Sequence, residues 1–570
     1  VRRMDSRRSR SFELQNVRTD LLVVGSGAAG FTAAIQAARE GCRVLLADKQ
    51  LIGRSGCTVM AEQLAAVVPG QVEGDSPERH YRDTLEAGRG LCRPELVRLL
   101  VEEVFQRVSE LEAAGLRLDR RADGTYALDR MNGHRYPRSL YHRDVTGRSI
   151  IRALRECARS LDVATRSDLL VTALLQGDEG LAGALAVDAR SGDPVMIRSK
   201  SVLLATGGAA GLFAPNTNPA GATGDGLALA LQAGALLEDL EFVQFYPACL
   251  AHPPAVRGSL LGISQYGRLL NNRNERFMES YDPEAMEATT RDRLSRAIAM
   301  ELRSGRGTRN GGVYCDLTGL DRSLYDQYSS LIQSLHRRRV DIERERVEVC
   351  PAAHYTMGGV HTDENGETTV DRLFAAGEVA SGVHGANRLG NNSLSETLVF
   401  GYRAGRSATR CCRKHGFARP NREQVDGELE RVGALINRKP KRLAPAVIKE
   451  RLQLLMGEHA GVLREETELA HAARELRRLQ EQLRLETGIR PEHLVANLQL
   501  FDYLETENML LLAGGLIEAA RMRRESRGAQ VRLDYPNQDD RQWLSHISVC
   551  MQAGTLRVES NACGGGQPGE

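Results

Sequence analysis

The stretch that most constrains the fold lies near the start of the chain. Residues 21–24 (LLVV) are a short, wholly apolar run suited to a buried parallel strand. Gly25-Ser26-Gly27-Ala28-Ala29-Gly30 follows at once, then a helical run over 31–40 that Gly41 stops. A second apolar strand over 43–47 ends in Asp48. Strand, GxGxxG, helix, strand and acid, in that order, describe a dinucleotide-binding unit. The glycines permit a tight turn and let a pyrophosphate approach free N–H groups at the helix N-terminus, where the dipole favours anions. Gly25, Gly27, Ala28, Ala29 and Gly30 are therefore candidate cofactor residues. Asp48 is placed to accept from a ribose hydroxyl, and Lys49 beside it joins the candidate set.

The rest of the chain must accommodate that unit. With 570 residues it is too long for one core, and two or three domains, which can interleave, are expected. Hydrophobic content of 42% with 26% charged residues describes a globular protein of the soluble class. A net charge of +2 gives no reason to expect nucleic acid as a partner. The eleven cysteines form no CxxC pair, and the adjacent Cys411 and Cys412 are the only close ones. That spacing argues against a disulfide framework and against a zinc or iron–sulfur site, and suits a reducing cytoplasm. No metal site is expected, so an organic cofactor must carry any electrons.

The arginine-rich start, VRRMDSRRSRSF, is followed by the polar ELQNVRTD rather than an apolar segment. Residues 1–19 therefore read as a disordered tail, not an export signal. The charge-free run LLVVGSGAAGFTAAIQAA reaches membrane-spanning length, but its glycines favour the strand–turn–helix reading, and no direct membrane insertion is expected.

NAD and FAD share the fingerprint, so a further feature must choose between them. Residues 169–175, 182–188 and 194–198 read as three strands joined by GDEG and SGD turns. They lead into SVLLATGG, with Ala205, Thr206 and Gly207 at the end of the strand. A small meander before a strand ending in ATGG resembles FAD-binding two-dinucleotide folds. A second glycine-rich patch, LFAAGEVASGVHGANRLGNNS, places a strand over 373–376 and Glu378 at its C-terminal end. Open α/β sheets bind ligands at that edge. Glu378 is positioned to accept from ribityl hydroxyls, with Asn392, Ser393 and Leu394 at the isoalloxazine end. The alternative is a loop that packs on the sheet and binds nothing.

With these motifs the chain resembles the flavoprotein subunits of succinate dehydrogenase and fumarate reductase, with L-aspartate oxidase as a close cousin. The matches are GSGAAG at 25–30, ATGG at 205–208, TGDG at 223–226, NERFM at 274–278 and RD at 291–292. HYTMGG at 354–359, HGANRLGNNS at 384–393 and ESRGAQVRLDYP at 525–536, with Trp543 beyond, complete the series. The resemblance implies an α/β two-dinucleotide-binding FAD fold, a parallel sheet plus β-meander. It also implies an inserted α+β capping domain and a C-terminal helical domain. The implied boundaries are 1–235 and 353–410 for the FAD domain, 236–352 for a mobile cap, 411–540 for the helical domain and 541–570 for a C-terminal segment. Within the helical domain, 446–486 is helical by pattern, with Leu469, Ala473, Leu476 and Leu483 on one core-facing stripe. Thr58 and Asp225 occupy family positions that meet the cofactor.

The resemblance also assigns roles at the substrate end. Arg388 and His354 match the pair that grips one carboxylate of a four-carbon dicarboxylate, and a planar guanidinium suits a two-point grip. An internal ion pair is the commoner role for an arginine. Arg291 matches the family's proton donor opposite the flavin. Free arginine is a poor acid, so this role needs a dry site and a strongly basic carbon centre.

Three departures accompany these matches. Where the family reads QFHP, this chain has Gln244-Phe245-Tyr246-Pro247, and Tyr246 cannot become cationic near neutral pH. Where respiratory relatives carry a Thr-Glu-x-x-Arg-Gly-Glu proton relay, Leu260 and Ile263 stand here. Where they attach FAD to a histidine, Cys57 stands in Gly56-Cys57-Thr58-Val59, which implies non-covalent FAD, and the AQGG that follows is altered to Ala61-Glu62-Gln63-Leu64. The implied function is hydride transfer between flavin N5 and a C–C bond beside a carboxylate, on a small carboxylate other than plain fumarate. A separate iron–sulfur subunit is the expected electron partner, in the cytoplasm or on a membrane through partner subunits. L-aspartate oxidase is the first alternative and a non-catalytic flavin electron-transfer subunit the second.

Overall fold

The structure, a computed structural model, describes residues 14–438, 441–489 and 497–562. Its centre is a five-stranded parallel sheet in the spatial order Leu373–Ala375, Ser201–Leu204, Leu21–Val24, Val44–Ala47 and Ala164–Arg166. The three middle strands are buried at every position, as expected for a parallel sheet covered on both faces. Helices Ala28–Arg39 and Asn392–Lys414 pack together over one face. Gly401 and Gly405 let their backbones touch: a Cβ at either would lie 2.6 and 2.5 Å from the carbonyl oxygens of Ala29 and Ala33.

The meander covers the other face, with strands Leu169–Gly177, Gly180–Asp188 and Pro194–Arg198. A fourth strand, Gln15–Arg18, pairs in parallel with Pro194–Arg198. This corrects the disordered tail expected over 1–19. Gln15–Arg18 lies at a sheet edge, where backbone pairing and the packing of Val17 against the core fix the strand. The arginine-rich residues 1–13 lie outside the described residues. The long charge-free run resolves into strand, turn and helix, and no helix among the described residues is long and apolar enough to cross a membrane.

Between the two cofactor-domain segments an antiparallel sheet, Val243–Leu250, Val347–Thr356, Val313–Asp316 and Arg268–Leu270, builds its own core with helix Arg291–Arg303. The region read as one helical stretch over 446–486 is two helices, Pro445–His459 and Glu466–Glu486. Leu469, Ala473, Leu476 and Leu483 are all buried, in the same core as the meander. The hairpin Ser545–Gln552 and Thr555–Ala562 returns to pair with Leu237–Glu238.

Arg523 holds that return in place. Fully buried, it donates to Glu241 (2.6 Å) and Glu525 (3.2 Å) and to the carbonyls of Trp543 and Ser545. Arg523→Ala strands the buried Glu241 carboxylate, whereas Glu525 keeps Arg527. It should cost about 3–5 kcal/mol in chemical denaturation; a loss below about 1 kcal/mol would contradict this account of the clamp.

Candidate active site

One cavity of about 610 Å³ extends from residues 25–29 to the cap. Its floor follows from parallel pairing. Leu21–Val24 and Ser201–Leu204 end side by side, bringing Gly25 against Ala205. Gly25 sits at φ 105°, and a Cβ there would lie 2.3 Å from the Ala205 carbonyl oxygen. Gly30 would meet the Gly25 oxygen at 1.9 Å, so it serves the turn and does not line the cavity. Gly27 and Gly207 border open space instead: nothing lies within 4 Å of a Cβ at Gly207, and only Thr58 Oγ1, at 3.4 Å, near one at Gly27. Thr206 Oγ1 is buried in this wall without a partner.

Asp48 lines the cavity and also braces the turn, accepting from Ser26 N (2.9 Å), Ser26 Oγ (2.6 Å) and Gln50 N (2.8 Å). Lys49 is bound among Thr223, Asp225 and Glu505 at 2.6–2.7 Å. Burial opposes its charge, yet the two carboxylates hold its pKa above the usual lysine range. Lys49 therefore ties this wall to helix Leu498–Met522.

At the other end, helix Asn392–Lys414 begins without a side-chain cap, after Asn391 at φ 65°. Ser393, Leu394 and Asn391 line the cavity. Asn392 does not: its amide bonds Thr84 (3.0 Å) and His80 (2.8 Å) in the interior behind. Glu378 accepts from Thr356 N (3.0 Å), and burial raises its carboxyl to about 7. Cys57 lines the cavity as a thiol, pushed up by burial and by Glu378.

Beyond Glu378 the residues change character. Arg388 is 3% exposed and stacks 4.5 Å from the ring of Tyr355. It donates to Ser393 Oγ (3.0 Å) and Gln244 Oε1 (2.8 Å), while its Nε is buried without a partner. Arg291, the first residue of its helix, reaches the same Gln244 oxygen at 3.4 Å and lies 4.8 Å from the Tyr246 ring. Among the described residues neither arginine forms an ion pair with a carboxylate. Burial and the Arg291 charge lower Arg388 to about 10, and burial lowers Arg291.

His354 bonds Thr217 Oγ1 at 2.8 Å and meets Tyr246 edge-on at 5.4 Å. Burial and the two arginines hold its pKa well below the usual histidine range, so it is neutral. Burial raises the Tyr246 phenol. Leu260 lines the cavity, whereas Ile263 is buried in the cap core.

The wall fits a dinucleotide: two open glycine faces and a desolvated carboxylate line one cavity. Comparison with known families supports the same assignment. A model of the FAD binding domain matches residues 20–394, and one of the fumarate reductase flavoprotein C-terminal region matches 449–562. One subunit of the fumarate reductase (CoM/CoB) of Methanothermobacter marburgensis is 38% identical over 526 residues, 91% of this chain and 94% of its own. The chain belongs to the fumarate reductase and succinate dehydrogenase flavoprotein family. L-aspartate oxidase of Streptomyces coelicolor, a further relative of this family, is 36% identical over 94% of this chain and 91% of its own. A solved Escherichia coli quinol fumarate reductase chain superimposes with a TM-score of 0.90 at 33% identity, covering 96% of this chain and 97% of its own. Like others in the family, the protein is an FAD-dependent oxidoreductase.

Two residues at this site escaped the sequence reading. Gln244 binds both arginines from behind, and its place in QFYP beside Tyr246 was the available signal. Glu62 lines the cavity from the altered AEQL stretch, where only its departure from the family pattern marked it.

Gly208 tests the FAD wall. A Cβ there would lie 2.2 Å from both Glu378 Oε1 and Thr356 Oγ1, displacing the carboxylate. Gly208→Ala should weaken FAD binding by about tenfold or more, read as flavin content after dilution and filtration; an unchanged flavin content contradicts this placement.

Proposed function

We propose that the protein reduces a C=C bond conjugated to a carboxylate, with Arg388 and His354 holding that carboxylate and Arg291 supplying the proton. One observation carries the reading: two buried guanidinium groups share one cavity and pair with no carboxylate among the described residues. A substrate carboxylate supplies the missing charge. Arg388 offers its fork for two parallel charge-assisted bonds. Thr217 Oγ1 bonds His354 Nδ1 (2.8 Å) and fixes the ring. In the tautomer that accepts the threonine hydrogen at Nδ1, the neutral ring carries its N–H on Nε2, a second donor to the substrate.

FAD, when bound and reduced, would supply the hydride that adds at the carbon β to the carboxylate. Arg291 protonates the neighbouring α-carbon, and burial, which lowers its pKa, makes it a better acid than a solvated arginine. Tyr246, kept protonated, stacks beneath the Arg291 guanidinium and offers a neutral donor where a cationic histidine would attract a second carboxylate. This favours an enoate other than plain fumarate.

We also place Gly25, Gly27, Ala28, Ala29, Asp48, Thr58, Thr206, Gly207, Glu378, Ser393 and Leu394 along the bound FAD, with no covalent link at Cys57. Electrons come from a separate iron–sulfur protein, consistent with relatives named as subunits and with ten described cysteines that are all free thiols.

Dithionite-reduced protein offered fumarate, iminoaspartate and larger enoates should be reoxidised by an enoate; reoxidation by oxygen alone contradicts the reading. Arg388→Lys keeps the charge but loses the fork, and should cut kcat/KM by about 10- to 100-fold with FAD retained. Wild-type turnover by Arg388→Lys would make the arginine structural. Acid precipitation should release yellow flavin into the supernatant, whereas colour kept in the pellet would reveal a covalent link.

A further inference from the structure

The apolar Leu260 and Ile263 leave Arg291 without the relay that should return its proton after each turnover. A different carboxylate lines the same cavity. Glu62 lines the cavity with Arg291, Tyr246 and Gly262. Its position is built. Gly147 N donates to the Ala61 carbonyl at 2.8 Å, and Thr146 Oγ1 donates to the Glu62 carbonyl. Gly147 itself permits the contact, since a Cβ there would lie 1.7 Å from the Thr58 oxygen. Across the cavity, a Cβ at Gly262 would come within 2.2 Å of Glu62 Oε2, so the missing side chain makes room for the carboxylate. No hydrogen bond to the Glu62 carboxylate is present among the described residues, although its backbone is held.

We propose that Glu62 is the relay residue of this enzyme, passing a proton to Arg291 from the side of Asp144. The inference rests on the enoate-reductase reading above. After Arg291 gives its proton to the α-carbon it is a neutral guanidine, and the O–H of protonated Glu62 restores the guanidinium. Glu62 is left as carboxylate and regains a proton from solvent on the Asp144 side. No electrons move in this step.

Two further observations agree. Asp144 Oδ2 accepts from Leu331 N (2.9 Å), while its Oδ1 is buried with no partner. The charged and titratable groups facing Glu62 are Asp144, Arg291, Tyr246 and Tyr328. Burial and the Asp144 charge raise its carboxyl to about 7, with Arg291 opposing. A donor must be protonated, so enoate reduction should fall as pH rises through about 7.

The test uses the FAD-loaded protein, with wild type, Glu62→Gln and Asp144→Asn compared across pH. Glu62→Gln should lose about 100-fold in kcat/KM at pH 6, keep its flavin spectrum, and lose the inflection near 7. Asp144→Asn removes a like charge and should move that inflection to lower pH. Infrared titration gives a readout independent of turnover: Glu378 also titrates near pH 7, so the carboxyl signal there should fall by one group in Glu62→Gln relative to wild type. Equal rates, a retained inflection in Glu62→Gln, or an undiminished carboxyl signal would overturn the relay. A wild type that reduces no enoate at any pH would instead fail the parent reading, before any variant is compared.

Discussion

Two buried arginines in one cavity repel each other, and the arrangement depends on the single amide oxygen that both of them touch. Gln244 Oε1 accepts from Arg388 at 2.8 Å and lies 3.4 Å from Arg291. The amide is oriented by its own donors, since Gln244 Nε2 binds Asn387 Oδ1 (3.1 Å) and the Arg388 carbonyl (2.8 Å). Gln244 lies on strand Val243–Leu250, Arg291 on helix Arg291–Arg303 and Arg388 just before helix Asn392–Lys414, so this contact joins all three. A neutral acceptor cannot cancel two buried charges at low local dielectric. The deficit appears as the lowered Arg388 pKa, and it makes the cavity a receptor for an anion.

The two glutamates in the cavity do not remove that deficit. Both Glu378 and Glu62 are raised to about 7, so each is partly protonated near neutral pH. They suit different tasks. Glu378 accepts from Thr356 N, and Glu62 lines the cavity with its carboxylate against Gly262. A carboxylate poised near its pKa exchanges protons readily, which fits Glu62 better than a permanently ionised counterion would.

Much of this was legible in the sequence where local chemistry is decisive. The 25–30 turn needs glycine at positions set by backbone contact, and its strands are apolar at every position. Leu469, Ala473, Leu476 and Leu483 showed their buried face by spacing alone. Arg388, His354, Arg291 and Tyr246 could be singled out by motif, and they do line one cavity. Other features depend on contacts distant in the chain. Strand Gln15–Arg18 exists because an edge was open to it, and Asn392 turns inward because Thr84 and His80 are there. Lys49 looks like a free cation until Glu505 meets it. Glu62 was visible only as a departure from pattern, because its partners come from three separate segments.

The central claim is that the cavity lacks an anion and that a substrate carboxylate supplies it. The direct measurement is an equilibrium titration of the oxidised FAD-loaded protein with a carboxylate ligand and with its primary amide of the same shape, followed by the flavin absorbance. Losing one charge-assisted bond costs about 1.5–3 kcal/mol, so the account predicts that the carboxylate binds at least about tenfold more tightly. Equal binding of acid and amide would contradict it.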